Sequence, residues 1–311
     1  MENKSAEIKS LLDSRRVISH ELGRLVYGSP EVREVNGEKY LYLHFRDGGL
    51  QRSNYLGKYN EDTHNLILNN NEKAKGLKSE LRALDKKLKS LGYQPETLKD
   101  PVALNIDFAR RHISDTIYAQ AILEGVATTY AETKDIIEGA QVSSLSPDDI
   151  MKIVNLKHAW DFVLDQDVVM SGSDLSLLCQ INKLIEEGFY YTAGKLRGVP
   201  VKIGGTTWSP ELPVESRVKE DLASILLRHD SVLDRAIALL LFIMRSQLFI
   251  DGNKRTAVIF ANHYLVSHAE GLIIIPAEHV PEFKSLLVDF YEQNDSAKIS
   301  VFLRDKCFLS L

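Results

Sequence analysis

The stretch QLFIDGNKR, residues 247–255, lies between two helix-forming segments and carries the most specific pattern of the chain. Its Gly-Asn pair stands where the second helix begins, so several backbone N–H groups there lack an intrahelical partner and lie at the positive end of the helix dipole. Lys254 and Arg255 add two positive charges beside these amides, and Asp251 offers a carboxylate suited to Mg²⁺. The pattern predicts an anion site with a metal ligand at its edge, as a nucleotide polyphosphate requires.

A second interpretation of the same residues stays open. An ordinary helix–loop–helix, with Asp251 as a cap and Lys254 and Arg255 solvated, would give the same letters. Short motifs that contain glycine match frequently, so the spacing alone does not decide between the two interpretations.

The segments on either side of this stretch predict a mainly α-helical chain from Pro101 onward. Ser231–Ser246 is apolar nearly all round, which is typical of a buried central helix, and Lys254–His268 forms the next helix. Helical periodicity predicts seven further helices, with Ser, Asp or Pro near several of their starts. These are Asp107–Leu123, Thr129–Ile137, Pro147–Leu164, Leu175–Glu187, Val214–Leu227, Pro281–Gln293 and Lys298–Leu309.

One segment, Leu196–Trp208, departs from the helical pattern. Val199, Val201 and Ile203 alternate with other residues, and Gly204-Gly205 follows them. Alternation of this kind next to a glycine pair predicts a β-hairpin between helices.

The charge balance indicates a separate N-terminal module. Residues 1–100 carry 18 Lys and Arg against 15 Asp and Glu, whereas the remainder carries 20 against 28. We therefore predict two domains, 1–100 and 101–311, the second with its core at about 175–311. The first should be a small α+β module, and its predicted elements are a helix at Ile8–Tyr27, a hairpin of Lys39–Phe45 and Leu50–Leu56 around Asp47-Gly48-Gly49, and a helix at Leu66–Leu91.

Composition excludes several classes of protein. The 311 residues are 44% hydrophobic and 26% charged, which is typical of soluble globular proteins. A net charge of −5 argues against a nucleic-acid coat or a polybasic membrane binder. The longest apolar run, Ala236–Met244, is too short to span a bilayer. Two cysteines provide no disulfide framework, so we expect a cytoplasmic protein with no membrane partner.

The stretch LFIDGNKRTA resembles the signature of the Fic family, protein-modifying enzymes that mostly transfer AMP from ATP to hydroxyl side chains. The family pattern is His-x-Phe-x-Asp/Glu-Gly-Asn-Gly/Lys-Arg-x-x-Arg. The segment AGKLRGVPVKIGGTTWSP, residues 193–210, is similar to the family's flap, and the resemblance extends over about 101–311. It implies a Fic-type helical bundle with a β-hairpin flap. The chain matches the pattern at Phe249, Asp251, Gly252, Asn253, Lys254 and Arg255.

The resemblance also implies roles for these residues. Asp251 would bind Mg²⁺, and Gly252, Asn253 and Arg255 would line the anion hole for the phosphates of ATP, with the charge of Lys254 beside them. The flap would pair with the backbone of a target protein as an added strand. Its residues would be Gly204, Gly205, Thr206, Thr207 and Trp208.

Two departures from the family pattern bear on activity. Gln247 stands where the family has its general-base histidine, and a carboxamide cannot accept a proton from an attacking hydroxyl. Val258 stands in place of the last arginine, which in the family contacts the γ-phosphate or pairs with an inhibitory glutamate. His263 is a rival base in principle, although it lies about two turns beyond Arg255, and a packed or exposed helix histidine is the alternative.

The inhibitory glutamate of the family has two candidates here. Glu124, within QAILEG on a helix near 115–130, is favoured over Glu138 by the Thr128-Thr129 pair that follows it. Because Val258 removes the usual arginine, Glu124 would have to pair with Arg255 or Lys254 or face solvent. A vestigial inhibitory residue and a plain surface carboxylate both stay open.

Three functions follow from the sequence. The first is a Fic-type adenylyltransferase scaffold that binds ATP–Mg²⁺ and transfers AMP to an unidentified target protein, with weak or lost activity because of Gln247. The second is a nucleotide-binding regulatory protein without transfer activity. The third is nucleic-acid binding through residues 1–100, where aromatic side chains of the hairpin could stack on bases, although packing against the neighbouring helices is favoured. A homo-oligomer is left open.

Overall fold

The computed structural model of the chain describes residues 2–23, 25–35, 37–47, 50–93, 100–140 and 142–311. The fold consists of two compact units, Met1–Glu96 and Thr97–Leu311. The predicted Gly48-Gly49 turn lies outside the described residues. Within the described part of the chain, no helix is both long and apolar enough to cross a membrane.

The first unit is a three-stranded antiparallel sheet with two helices, in the sheet order β1-β2-β3. The sequence predicted only the last two strands, because Gly28 and Pro30 read as a helix end. The first strand starts directly at that point, where Val32 pairs with Leu41. The elements are α1 (Glu2–Gly23), β1 (Ser29–Val35), β2 (Glu38–Asp47), β3 (Leu50–Lys58) and α2 (Glu61–Ser90).

The two faces of this sheet differ in kind. Leu41, Leu43 and Ile67 form the buried cluster of the unit. Side chains alternate along a strand, so Tyr42 lies on the opposite face, where its ring contacts Tyr55 at a centroid distance of 5.3 Å. The buried face of β2 is therefore made by leucines and not by the aromatic residues that the sequence favoured for this role.

The second unit is mainly α-helical, so the predicted fold class is confirmed. Two buried helices, Val232–Ser246 and Asn253–Ser267, form its centre, and the other helices pack around them. Two short strands pair antiparallel. The helices are α3 (Asp100–Arg111), α4 (Ile113–Leu123), α5 (Tyr130–Ile137), α6 (Pro147–Val163), α7 (Gln166–Val169), α8 (Leu175–Ile185), α9 (Glu215–Leu226), α10 (Val232–Ser246), α11 (Asn253–Ser267), α12 (Val280–Gln293) and α13 (Ala297–Phe302), and the strands are β4 (Gly271–Ile273) and β5 (Phe308–Ser310).

The predicted β-hairpin at Leu196–Trp208 is wrong. This fully described segment contains no strand, and only a turn forms at Gly204-Gly205. Side chains bind two of its backbone groups. Arg197 donates to the carbonyl of Val199, and the Thr207 N–H donates to the carboxylate of Glu292.

The C-terminal helix is shorter than predicted. Helical structure ends at Cys307, and β5 pairs with β4 in place of a last helical turn. Gly271 makes this pairing possible, since a Cβ at its position would lie 2.1 Å from the carbonyl oxygen of Leu309. Asn262 of α11 ties β4 to the core through bonds in both directions with the backbone of Ile273.

His263 of α11 is fully buried and belongs to the core. Its Nδ1 lies 3.0 Å from Ser173 Oγ and its Nε2 lies 2.8 Å from the carbonyl oxygen of Val168. Burial lowers the pKa of His263 to about 4. With both ring nitrogens engaged and no access to solvent, this histidine does not replace the missing base.

The buried imidazole predicts a loss of stability in mild acid. The unfolded chain takes up this proton near pH 6.5, whereas the native state does so only near pH 4, so the free energy of unfolding falls as the pH drops through this window. The contribution is up to about 3 kcal/mol. Urea unfolding at pH 7, 6, 5 and 4 measures it.

His263→Asn should flatten that slope while lowering stability at pH 7. His229→Asn, at an exposed position, is the matched control. Equal slopes in the wild type and His263→Asn would contradict the assignment.

Candidate functional site

The candidate site is the loop that connects α10 to α11. Helix α10 ends at Ser246, and the next residue, Gln247, turns the chain away from the helix axis with a φ of +45°. Phe249 then inserts into the core, with 1% of its surface exposed. The Asn253 side chain closes the loop by accepting from the Phe249 N–H and donating to the Phe249 carbonyl, each at 2.9 Å. The conformation is thus fixed by one aromatic anchor and one amide.

Gly252 occupies the tightest position of the loop. Its φ is +74°, and its N–H donates to Asp251 Oδ1 at 2.7 Å. A Cβ here would lie 2.4 Å from Glu186 Oε1 and 3.1 Å from Asn182 Nδ2. Glycine is required both for the left-handed backbone and for the close approach of α8.

The residues beneath the loop, Asn182 and Glu186, lie one turn apart at the end of α8, and we call them the α8 platform. Asn182 Nδ2 donates to the Asp251 carbonyl at 3.0 Å and lies 3.2 Å from Thr256 Oγ1, while its Oδ1 accepts from the N–H of Gly194. Sequence reasoning missed both residues. The one available signal was an amide and a carboxylate four residues apart, on the face of α8 that also carries the apolar Leu175 and Leu178.

Arg255 is the most buried charge of the site, with 2% of its side chain exposed. Its Nη2 donates to Glu186 Oε1 at 2.7 Å and lies 4.0 Å from Asp251 Oδ1. Its Nε is 3.5 Å from Glu124 Oε2, too poorly aligned for a hydrogen bond. Among the described residues, Nε and Nη1 have no hydrogen-bond partner although both are buried.

The carboxyl group of Glu186 is equally enclosed. Burial raises its pKa to about 7, Arg255 opposes the rise, and the charges of Asp251 and Glu124 add to it. The short bond to Arg255 and the loss of solvation therefore act on Glu186 in opposite directions. Three carboxylates surround Arg255, and Lys254 is the other cation of the cluster.

Glu124 lies against both cations of the predicted anion site. Its Oε1 is 3.7 Å from Lys254 Nζ, in addition to the Arg255 contact, and 15% of its side chain is exposed. Glu138, the other candidate, is mostly exposed and lies 3.9 Å from Lys134. The structure thus brings Glu124, and not Glu138, to the start of α11.

Gln247 uses its carboxamide to hold the loop. Its Nε2 donates to the Met244 carbonyl at 2.6 Å, and its Oε1 accepts from Asn253 Nδ2 at 3.2 Å. The buried hydroxyl of Tyr291 also hydrogen-bonds this side chain; burial raises the pKa of Tyr291, and that bond partly offsets the rise. The amide is therefore a structural element of the loop.

The predicted flap residues are held against α12 by Glu292. This carboxylate accepts from the hydroxyls of Thr206 and Thr207 and from the Thr207 N–H, the last at 2.6 Å. These bonds, the one from Thr206 first, lower the pKa of Glu292. Trp208 stacks on the Arg245 guanidinium, with 3.7 Å between its ring centroid and the guanidinium carbon.

A cavity of about 1110 Å³ lies between α9, α10 and α13. Trp208, Arg245 and Leu248 line it, whereas no wall comes from the segment 251–255. The cavity is separate from the start of α11, where Glu124 covers Arg255 and Lys254.

A metal could be held only in part by the protein. The Asp251 side chain is 48% exposed, so its carboxylate is accessible from solvent. No group of three His, Cys, Asp or Glu residues in the described ranges could hold a metal ion. One protein carboxylate fits Mg²⁺, which commonly completes its shell with phosphate oxygens and water.

Part of the second unit is similar to a known protein family. Residues 173–265 match the model of the Fic/DOC family. No curated protein sequence matches the chain. The match confirms the predicted resemblance and covers α8, α9, α10, the loop after α10 and all but the last two residues of α11.

Solved structures share the fold at low identity. Fic-1 (residues 134–508) from C. elegans is 18% identical with a TM-score of 0.55, covering 78% of this chain and 80% of that one. A Fic-domain-containing signaling protein from Bacteroides thetaiotaomicron is 20% identical with a TM-score of 0.51, covering 65% and 80%. A Fic family protein from Desulfovibrio desulfuricans is 16% identical with a TM-score of 0.52, covering 68% and 73%.

The contact between Gly252 and the α8 platform predicts a sharp response to an added methyl group. Gly252→Ala should lower the free energy of unfolding by about 1–3 kcal/mol more than Gly188→Ala. Gly188 has a similar φ of +84° but open space around its Cβ position, so it reports backbone strain alone. Chemical denaturation of both variants measures the difference, and equal losses would show that the platform yields freely.

Proposed function

We propose that this chain, which carries a Fic/DOC domain at residues 173–265, binds a magnesium–nucleoside polyphosphate, ATP by the family resemblance, at the start of α11. On this scaffold, transfer of AMP to a hydroxyl of a target protein is weak or lost. The observation that carries the proposal is the buried Arg255 guanidinium, whose Nε and Nη1 have no hydrogen-bond partner among the described residues.

Unpartnered buried donors are costly and rare in native proteins, and they indicate a missing partner. Charge-assisted hydrogen bonds from arginine to phosphate oxygens would satisfy such donors, and because Nε and Nη1 lie on different edges of the guanidinium, separate oxygens would accept from them. The N-terminal amides of α11 lie at the positive end of a 15-residue helix, and Lys254 adds a charge that is 32% exposed. All three features select an anion, and a polyphosphate uses them together.

Asp251 is the residue that would hold Mg²⁺ in this arrangement. Its half-exposed carboxylate projects from the same loop and lies 4.0 Å from Arg255 Nη2. The metal, when bound, would neutralise part of the phosphate charge. Asp251 also accepts from the Gly252 N–H, which orients the carboxylate before any ligand arrives.

Glu124 occupies the position that a phosphate would take. Its carboxylate contacts both Lys254 and Arg255, but at 3.7 and 3.5 Å and without a hydrogen bond to Arg255. A phosphate that forms short bonds to the same groups can displace so loose a contact. This geometry supports the inhibitory role that the sequence suggested for Glu124.

Gln247 limits the rate of the transfer reaction. General-base assistance is worth about 10²–10⁴-fold in rate, and a carboxamide provides none. Its two polar atoms are engaged with Met244 and Asn253, so it keeps the loop in shape without a proton acceptor. The same observation favours the second candidate function, a nucleotide-binding regulatory protein that transfers nothing.

A target protein would approach through the flap at 204–208. Glu292 already takes the Thr207 N–H and both threonine hydroxyls. Strand addition at these residues would therefore require Glu292 to release them, in contrast to a flap that presents free backbone groups.

Calorimetry with Mg–ATP tests the proposed binding. We expect saturable binding by the full chain, weakened about tenfold by Lys254→Ala because one phosphate contact is removed. Lys298→Ala, at an exposed position of α13, is the control. Absence of binding in both the wild type and Glu124→Ala would contradict the proposal.

A histidine introduced at position 247 tests the transfer reaction. With α-labelled ATP and cell lysate, Gln247→His combined with Glu124→Ala should label protein about 10²-fold or more above the wild type, because a base is present and the competing carboxylate is gone. Gln247→Asn with Glu124→Ala is the matched control without a base. A doubly substituted protein that binds Mg–ATP but labels nothing would favour the regulatory function.

A further inference from the structure

Glu186 and Glu124, the two glutamates near Arg255, differ in burial, in hydrogen bonding and in the helix that carries them. Glu186 is 3% exposed and accepts a hydrogen bond of 2.7 Å from Nη2, whereas Glu124 is 15% exposed and stays 3.5 Å from Nε without a hydrogen bond. Glu186 comes from the end of α8 and lies beneath Gly252. Glu124 follows the last turn of α4 and also contacts Lys254. One carboxylate is enclosed and fixed, and the other is loose and accessible.

We propose that Glu186 is a positioning residue for polyphosphate binding: it holds the Arg255 guanidinium by Nη2 so that Nε and Nη1 stay available to the anion. The inference rests on the proposed function of the site and assigns a role to a residue outside the family motif. Glu186 does not contact the ligand itself, since it lies below the loop.

The position of Glu186 makes the orientation specific. A hydrogen bond at Nη2 restricts the orientation of a planar guanidinium, and with it the directions of its other donors. Glu186 Oε1 lies close against Gly252, since a Cβ built at that position would be 2.4 Å from it. Asn182 lies on the same face of α8, and its Nδ2 donates a hydrogen bond of 3.0 Å to the Asp251 carbonyl. Arginine and loop are therefore held from one rigid helix.

The charge of Glu186 works against anion binding, so its role must come from geometry. Asp251, Glu124 and Glu186 together outnumber Lys254 and Arg255 around the site. If Glu186 only neutralised Arg255, its removal would strengthen anion binding, as we expect for Glu124. If it orients Arg255, loss of its reach would weaken binding even though the charge is kept.

Two conservative substitutions separate reach from charge. Glu186→Gln keeps an oxygen at the same distance and removes the charge, whereas Glu186→Asp keeps the charge and shortens the side chain by one methylene. The ligands are Mg–ATP and magnesium tripolyphosphate, measured by calorimetry with the full chain. Glu220→Gln, at an exposed position of α9, is the control.

We expect Glu186→Asp to weaken binding of both ligands about tenfold and Glu186→Gln to stay within about threefold of the wild type. The opposite order, with Glu186→Gln binding more tightly and Glu186→Asp unchanged, would overturn the proposal. Equal affinities in all proteins would do the same. Thermal unfolding of each variant shows that the proteins compared are folded.

Hydrogen exchange of the ligand-free protein gives a readout independent of nucleotide binding. Exchange in peptides that cover 250–256 should be faster in Glu186→Asp and unchanged in Glu186→Gln, with peptides from 280–293 as the internal control. If the wild type binds neither ligand but this pattern appears, the proposed function fails and the positioning by Glu186 stands. Unchanged exchange in both variants would overturn the positioning.

Discussion

The candidate site depends on one buried ion pair, between Arg255 at the start of α11 and Glu186 at the end of α8. An arginine with 2% of its side chain exposed has lost nearly all its hydration, and such a charge is tolerated only with a partner. The partner lies directly under Gly252, where a side chain would collide with it. The pair thus joins α8 to α11, and only glycine fits at position 252, directly before α11.

This constraint explains why the site carries more charge than it satisfies. Glu186 accepts from Nη2, while Nε and Nη1 have no hydrogen-bond partner in the part of the chain that the structure describes, with Glu124 at 3.5 Å from Nε. A protein selected for stability alone would pair those donors or replace the cluster by apolar residues, which frequently stabilises. A buried donor without a partner requires an explanation in a native structure, and the proposed anion supplies one for Arg255.

The sequence predicted what local pattern controls. The apolar α10, the glycine-containing loop and the helix after it follow from periodicity and from capping rules, and the mainly α-helical class was confirmed. The α8 platform escaped because Glu186 and Arg255 are 69 residues apart, and no periodic pattern encodes such a contact. The predicted hairpin of the flap was wrong for the same reason, since Glu292, which binds Thr206, lies 86 residues away in the sequence. The strand β4 was not predicted either, because it has only three residues and its partner β5 lies more than 30 residues further along the chain.

Anion binding and proton abstraction are physically separable in this loop. The groups that would hold phosphate belong to the start of α11 and are fixed from below by α8. The position that would hold the base belongs to the end of α10, where Gln247 bonds to Met244 and Asn253. A glutamine there preserves the loop that Asn253 closes, because its amide supplies both a donor and an acceptor. Under the proposed function, glutamine at position 247 therefore leaves the groups for phosphate in place, and binding without transfer requires no further change in the fold.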